Sequence, residues 1–236
     1  MIYDPGLLVI SLVFMGIGML ISSRLKNKFE QYSRERLSSG LSGREVAEKM
    51  LWENGIYDVK VQSVAGMLTD HYDPTKKIVN LSEAVYQGVT VASAAVAAHE
   101  CGHAVQHKTA YQWLNLRSKL VPAVNIASSG MTILTSILFF LAYFSPAMTN
   151  AMLLIFIVLQ SAITIFSLIT LPVEIDASKR ALAWLDRSGI THNFEHRDAK
   201  DALTWAAYTY IASALGSVAT LFYFIWRFVG NSRSSD

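Results

Sequence analysis

The chain has 236 residues, of which 52% are hydrophobic and only 16% charged, with a mean hydropathy of +0.32. That balance excludes an ordinary soluble domain and points to a membrane protein. The formal net charge of +2 gives no basis for nucleic-acid binding, and the single cysteine, Cys101, excludes an intrachain disulfide.

A helix crossing the hydrocarbon core needs about 20 apolar residues, so charge-free windows mark the expected spans. The first is residues 5–23. It lacks a basic leader and a small-residue cleavage site, so it reads as a retained anchor. Asp4 precedes it, whereas Arg24, Lys26, Lys28, Arg34 and Arg36 follow it, which places the segment from Arg24 in the cytosol by the positive-inside rule. Arg227 and Arg233, near the other end of the chain, argue weakly the other way.

Residues 24–38 read as a charged juxtamembrane helix. Ser42-Gly43-Arg44-Glu45 is a capping-box start, with Val46, Ala47, Met50 and Leu51 as the apolar stripe and Gly55 as the stop. Residues 59–64 alternate as a half-buried strand, and residues 77–81 alternate again after the turn signal Asp73-Pro74-Thr75. The second of these strands offers an edge for an extended substrate, beside its plain reading as ordinary sheet.

From Val89 the chain is rich in Ala and Val, without Gly or Pro until Gly102, so a helix is predicted through His99, Glu100 and His103. This is the pattern H-E-x-x-H. Residues four apart share a helix face, so two imidazoles can meet one metal while the glutamate reaches its water. His107 continues the spacing but drifts around the helix and reads as a polar surface residue; Cys101 reads as a small packed side chain.

Residues 120–173 contain no Asp, Glu, Lys, Arg or His, too long for one crossing and right for two, with residues 145–150 as the turn. Asn125 and Gln160 inside this hairpin read as helix-to-helix hydrogen-bonding groups. Two crossings return the chain to the face it left, where Glu174 follows at once, after Pro172 in the expected first turn of a new helix. Glu174 is the predicted third ligand, and Asp176 the rival, which two positions along a helix points elsewhere. A second string, His192-Asn193-Phe194-Glu195-His196, also fits a zinc pattern, H-x-x-E-H. Only Asp198, Asp201 and Asp236 follow it as carboxylates, and it sits beside Gly189 in an expected connecting turn, so it ranks well below the first. Residues 202–226 are the fourth span, ending in Phe222, Tyr223 and Trp226 as interfacial aromatics.

These motifs, with Leu68-Thr69-Asp70-His71-Tyr72-Asp73-Pro74, Val79-Asn80-Leu81-Ser82 and Leu171-Pro172-Val173-Glu174-Ile175-Asp176-Ala177-Ser178, resemble the YugP-like family of neutral zinc metallopeptidases of bacterial membranes. More distantly the chain is similar to the HtpX-type and CAAX-prenyl zinc endopeptidases, whose E-x-x-A-D motif supplies the third ligand. Glu174 and Ala177 fit that motif, but Ser178 stands where the Asp would be. The outer partner of one histidine is therefore open, with Asp176 as a substitute.

The resemblance implies peptide-bond hydrolysis in a bacterial plasma membrane. Zinc would sit on His99, His103 and Glu174, and Glu100 would take the proton of the attacking water and pass it to the leaving amine. His71 is a candidate donor to the tetrahedral oxyanion, against its reading as part of a surface turn. The expected fold is a mainly α membrane protein: an anchor (1–23), a small α+β zincin-like catalytic domain at the cytosolic membrane face (24–119), a two-helix hairpin (120–173), a third-ligand helix and connector (174–201) and a fourth span with tail (202–236). The expected partners are a polypeptide substrate, membrane proteins among the candidates, and the lipid bilayer, with no nucleic acid. The alternative is a non-catalytic zinc-binding membrane scaffold or regulator, which loss of Glu100 would have favoured.

Overall fold

The computed structural model describes residues 5–141 and 150–233. Among the described residues the order is α1 (Pro5–Tyr32), α2 (Gly43–Glu53), β1 (Lys60–Val64), β2 (His71–Asp73), β3 (Ile78–Ser82), α3 (Glu83–Gln87), α4 (Val91–Lys108), α5 (Gln112–Leu141), α6 (Asn150–Arg187) and α7 (Phe194–Arg233). Four helices are long and apolar enough to cross a bilayer: α1, α5, α6 and α7. The described residues are mainly helical, with four candidate membrane-spanning helices and one small sheet.

The described residues fall into two compact units. One draws on Met1–Leu20, Leu116–Leu171 and Thr209–Asp236. Its core is small: Leu153, Phe156 and Phe224, packed by Leu7, Met131 and Leu134. Large apolar side chains such as Leu20, Val158 and Phe222 stay exposed, as expected of helices whose solvent is lipid. Gln160 Nε2 and Thr164 Oγ1 both donate to the Ser217 carbonyl at 3.1 Å, so Gln160 links α6 to α7 as its sequence position predicts. Asn125 is exposed.

The other unit, Ile21–Asn115 with Pro172–Tyr208, has the larger core. The capping box of α2 is complete, with Ser42 accepting from the Glu45 N–H and Glu45 accepting from the Ser42 N–H. Val46, Ala47, Met50 and Leu51 are buried, and Gly55 takes φ +68° just past the helix end, where a Cβ would be strained. α4 starts on Thr90, whose side chain accepts from the Ser93 N–H at 3.2 Å. Its small Ala, Ser and Gly residues let neighbours approach closely, and Cys101 is buried with its thiol toward the Ala47 carbonyl of α2. Trp184 of α6 fills the same core and donates its N–H to Glu53 at 2.8 Å, so the ring is buried with no orphaned donor.

Four expectations change. The sheet has order β1-β3-β2, β1 parallel and β2 antiparallel to β3. β3, read as an edge, is therefore the central strand with both sides paired, and β1 and β2 are the edges. Residues 71–73 form a strand rather than a turn; the turn begins at Asp73, whose Oδ1 accepts from the Thr75 and Lys76 N–H groups. The charged segment after Arg24 is no separate helix, because α1 runs unbroken to Tyr32. Nor does a new helix start at Pro172, which lies inside α6. A proline removes one N–H from the ladder, and the helix continues on both sides of it. Of the expected hairpin turn at residues 145–150, residues 145–149 lie outside the described residues, and Asn150 already begins α6.

Candidate metal centre

His99 and His103 lie one turn apart on α4, their ring centroids 4.9 Å apart and their planes nearly perpendicular. α6 brings Glu174 against them, with Oε2 3.4 Å from His99 Nε2 and 3.6 Å from His103 Nε2. The three ligand atoms lie within 4.8 Å of one another. Glu174 is 3% exposed and His103 is buried too. All three residues belong to the same unit.

What lets α6 come so close is Gly102. A Cβ at this position would lie 2.6 Å from the Ala177 carbonyl oxygen, closer than real Cβ atoms sit. Glycine inside a helix is unfavourable by about 1 kcal/mol relative to alanine, and here the missing side chain is the contact surface. Ala177 is itself fully buried. Two small residues thus set the separation of the helices that carry the ligands.

The tautomer of His103 follows from the partner of its Nδ1. His103 Nδ1 faces Gln106 Oε1 at 3.0 Å, an atom that only accepts, so the proton is on Nδ1. His99 Nδ1 meets Ser178 Oγ at 3.1 Å, a hydroxyl able to accept the same kind of bond. With Ser178 accepting, both Nε2 lone pairs are directed at the place Glu174 Oε2 also faces. Three acceptors converging in a buried site need a cation between them. Burial works against a charge on His103, but hydrogen bonding to Glu174 and the Glu100 and Glu174 charges outweigh it and hold its pKa above the ordinary imidazole value. Two imidazole nitrogens and one carboxylate oxygen form the donor set of a catalytic zinc site with a position left open. The residues present fit that ion.

Glu100 is buried beside the ligands and acts electrostatically on His103. His71 is not part of the cluster. It sits on β2, its Nδ1 2.7 Å from the Thr69 carbonyl and its Nε2 3.1 Å from Asn80 Nδ2; Asn80 Oδ1 in turn accepts from Gln62 at 2.7 Å. Both ring nitrogens are occupied in a polar ladder across the three strands. His107 also lies outside the cluster, with Nδ1 2.8 Å from the Tyr72 hydroxyl. Burial, then the charges of Asp58 and Asp73, push the Tyr72 phenol up to about 12, so it remains protonated. These two residues, with Val59 and Ala104, help line a cavity of about 400 Å³.

The second string, around Glu195, is spoken for. Glu195 is 1% exposed and accepts from the Ser38 N–H at 2.7 Å, the Ser38 hydroxyl at 2.9 Å and the His192 N–H at 3.1 Å. His196 Nδ1 pairs with Thr191 Oγ1 at 3.2 Å. Asp176 does not reach the metal cluster; it meets Gln106 and Arg180. Sequence reasoning missed Gly102 and Gln106 and left Ser178 open. A lone glycine in a predicted helix was the one signal available for the first of these.

A family described as "Putative neutral zinc metallopeptidase" matches this chain over residues 7–229. The "Putative membrane protease YugP" of Bacillus subtilis (strain 168) is 40% identical over 227 residues, which span 96% of this chain and 98% of that protein. No solved structure matches.

Proposed function

The chain belongs to the "putative neutral zinc metallopeptidase" family, and from that premise we propose that it is a membrane-embedded zinc endopeptidase of the gluzincin-like kind. The sheet, α2 and α4 would form its zincin-like catalytic part. The observation that carries the reading is the convergence of His99, His103 and Glu174 with Glu100 buried next to them.

His99, His103 and Glu174 would hold the zinc, which would supply Lewis acidity toward the scissile carbonyl and the attacking water. Glu100 takes the proton from the attacking water as the new C–O bond forms. It then delivers that proton to the amide nitrogen as the C–N bond breaks, giving one carboxylic acid and one amine. A substrate chain in extended form has β1 and β2 available as strand edges. The cavity lined by Tyr72 and His107, one turn past His103, is the place for a substrate side chain. Protonated Tyr72 would serve there as a hydrogen-bond donor by exchanging its His107 bond. His71 would serve as oxyanion donor only by exchanging its Asn80 bond and shifting its proton to Nε2.

The test is hydrolysis of an unfolded polypeptide by the purified protein beside Glu100→Gln. The expected result is a rate loss of about 10²–10⁴-fold with zinc content unchanged. Equal rates would end the peptidase reading and leave a zinc-binding scaffold. The charge asymmetry around α1 supports a cytosolic position for the catalytic part, at the inner face of a bacterial plasma membrane. A cysteine replacing exposed Ser39 should resist a membrane-impermeant maleimide until the membrane is opened. Cys101 stays silent because burial pushes its thiol pKa up. Labelling in intact cells would reverse the orientation.

A further inference from the structure

The two histidines of the centre have different outer partners, and the one behind His103 is built through three residues. Gln106 is fully buried at 0% exposure, and a buried amide is costly unless its hydrogen-bonding groups are used. Its Nε2 donates to the Val173 carbonyl at 2.8 Å and to Asp176 Oδ2 at 2.8 Å. Its Oε1 is what remains for His103 Nδ1, at 3.0 Å. Turning the amide over would set its oxygen against two other oxygens. Asp176 Oδ2 is fixed in its turn by Arg180 Nε at 2.6 Å.

We propose that Gln106 is the positioning residue of this centre: it locks His103 in the tautomer whose Nε2 lone pair faces the position shared by His99 and Glu174. Val173 and Asp176 of α6 dictate which way its amide points. The inference rests on the reading of His99, His103 and Glu174 as zinc ligands. It also gives α6 two tasks at once. The helix that carries the third ligand sets the proton of the second, so a α4–α6 pair that is not docked lacks both.

The experiment is zinc affinity of the full chain in detergent, measured by competition with a chromophoric chelator, together with the visible spectrum of the Co²⁺-substituted protein. The variants are His103→Ala, Gln106→Met and the pair Gln106→Glu with Asp176→Asn. Methionine keeps the volume and removes the acceptor. The pair keeps an acceptor for His103 and gives the other carboxylate oxygen an amide donor in place of Asp176, while that oxygen meets the Val173 carbonyl with no proton between them. The expected result is an affinity loss of about 10–100-fold in Gln106→Met with altered Co²⁺ bands, and recovery of part of it in the pair. Recovery also separates orientation from mere packing, which a destabilised single variant would not. Wild-type affinity in Gln106→Met, or a pair no better than the methionine, overturns the proposal while leaving the ligands in place. A wild type without zinc, or zinc indifferent to His103→Ala, sinks the ligand reading and this proposal with it.

Discussion

Residues 99–103 and residues 192–196 each place two histidines and a glutamate within five positions, but the first set lies inside the 18-residue helix α4 and the second runs from the end of the α6–α7 turn into the start of α7. In the first, a helix face and a close second helix direct two Nε2 atoms and a carboxylate at one point. In the second, Asn193 takes φ +47°, a conformation asparagine tolerates better than most residues, and Glu195 turns inward to hold Ser38. Residue types are the same in both. What separates them is which polar atoms are already committed to the backbone.

The sharpest way to break this comparison is to remove one carboxylate from each region. Glu174→Ala should take zinc from about one per chain to nearly none, since a catalytic site has only three protein ligands to begin with, and hydrolysis should go with it. Glu195→Ala should do the reverse. It keeps the zinc but leaves the Ser38 N–H and hydroxyl without their acceptor; hydrogen bonds to a charged group contribute roughly 1.5–3 kcal/mol each, so a clear fall in Tm is expected. Metal analysis and thermal unfolding of the two purified variants check both halves. Zinc lost from Glu195→Ala at a temperature where it is folded would mean that the second string also binds metal.

A smaller effect probes why the first region can converge at all. Gly102→Ala adds one methyl group against the Ala177 carbonyl, at 2.6 Å from its oxygen before any relaxation. In an isolated helix this exchange is favourable by about 1 kcal/mol; here overpacking should cost about 1–3 kcal/mol, so the sign of the change in stability is itself the test. Because Glu174 rides on the same helix as Ala177, zinc affinity should fall together with Tm. A stabilised variant with unchanged zinc affinity would show that the two helices can separate without disturbing the ligands.

How much of this was readable from sequence depends on the range of the interaction. The capping box at Ser42, the stop at Gly55 and the four apolar helices are local, and periodicity and capping chemistry name them. His99, His103 and Glu174 were legible because helix spacing and an even number of crossings constrain them, and the structure does bring them together. Gln106 was not legible, since its partners Val173 and Asp176 lie 67 and 70 positions away and nothing in a single helix says which way an amide points. β2 is only three residues long and pairs with β3 without an alternating pattern of its own. Continuation of α1 past Arg24 and of α6 through Pro172 shows the opposite error: charge and proline mark where a span should stop, not where hydrogen bonding does.

The least effect expected within the centre comes from Ser178, and its direction is informative. A hydroxyl at 3.1 Å from His99 Nδ1 is a neutral and weaker partner than the Asp that the E-x-x-A-D pattern would put there, because bonds to an ionised acceptor are roughly twice as strong. Ser178→Ala should therefore weaken zinc binding by only about tenfold, the low end for an outer partner. Ser178→Asp should tighten it. The added negative charge also makes His99 a stronger donor to the metal, which lessens the Lewis acidity left for the scissile carbonyl, so tighter zinc should not bring faster hydrolysis. Chelator competition and turnover measured on the same two preparations separate these effects. If Ser178→Asp raised both, the serine would be an accident of the chain rather than a setting of its metal; if affinity rose while turnover held or fell, the neutral partners on both histidines, Ser178 and Gln106, would be what keeps this centre reactive.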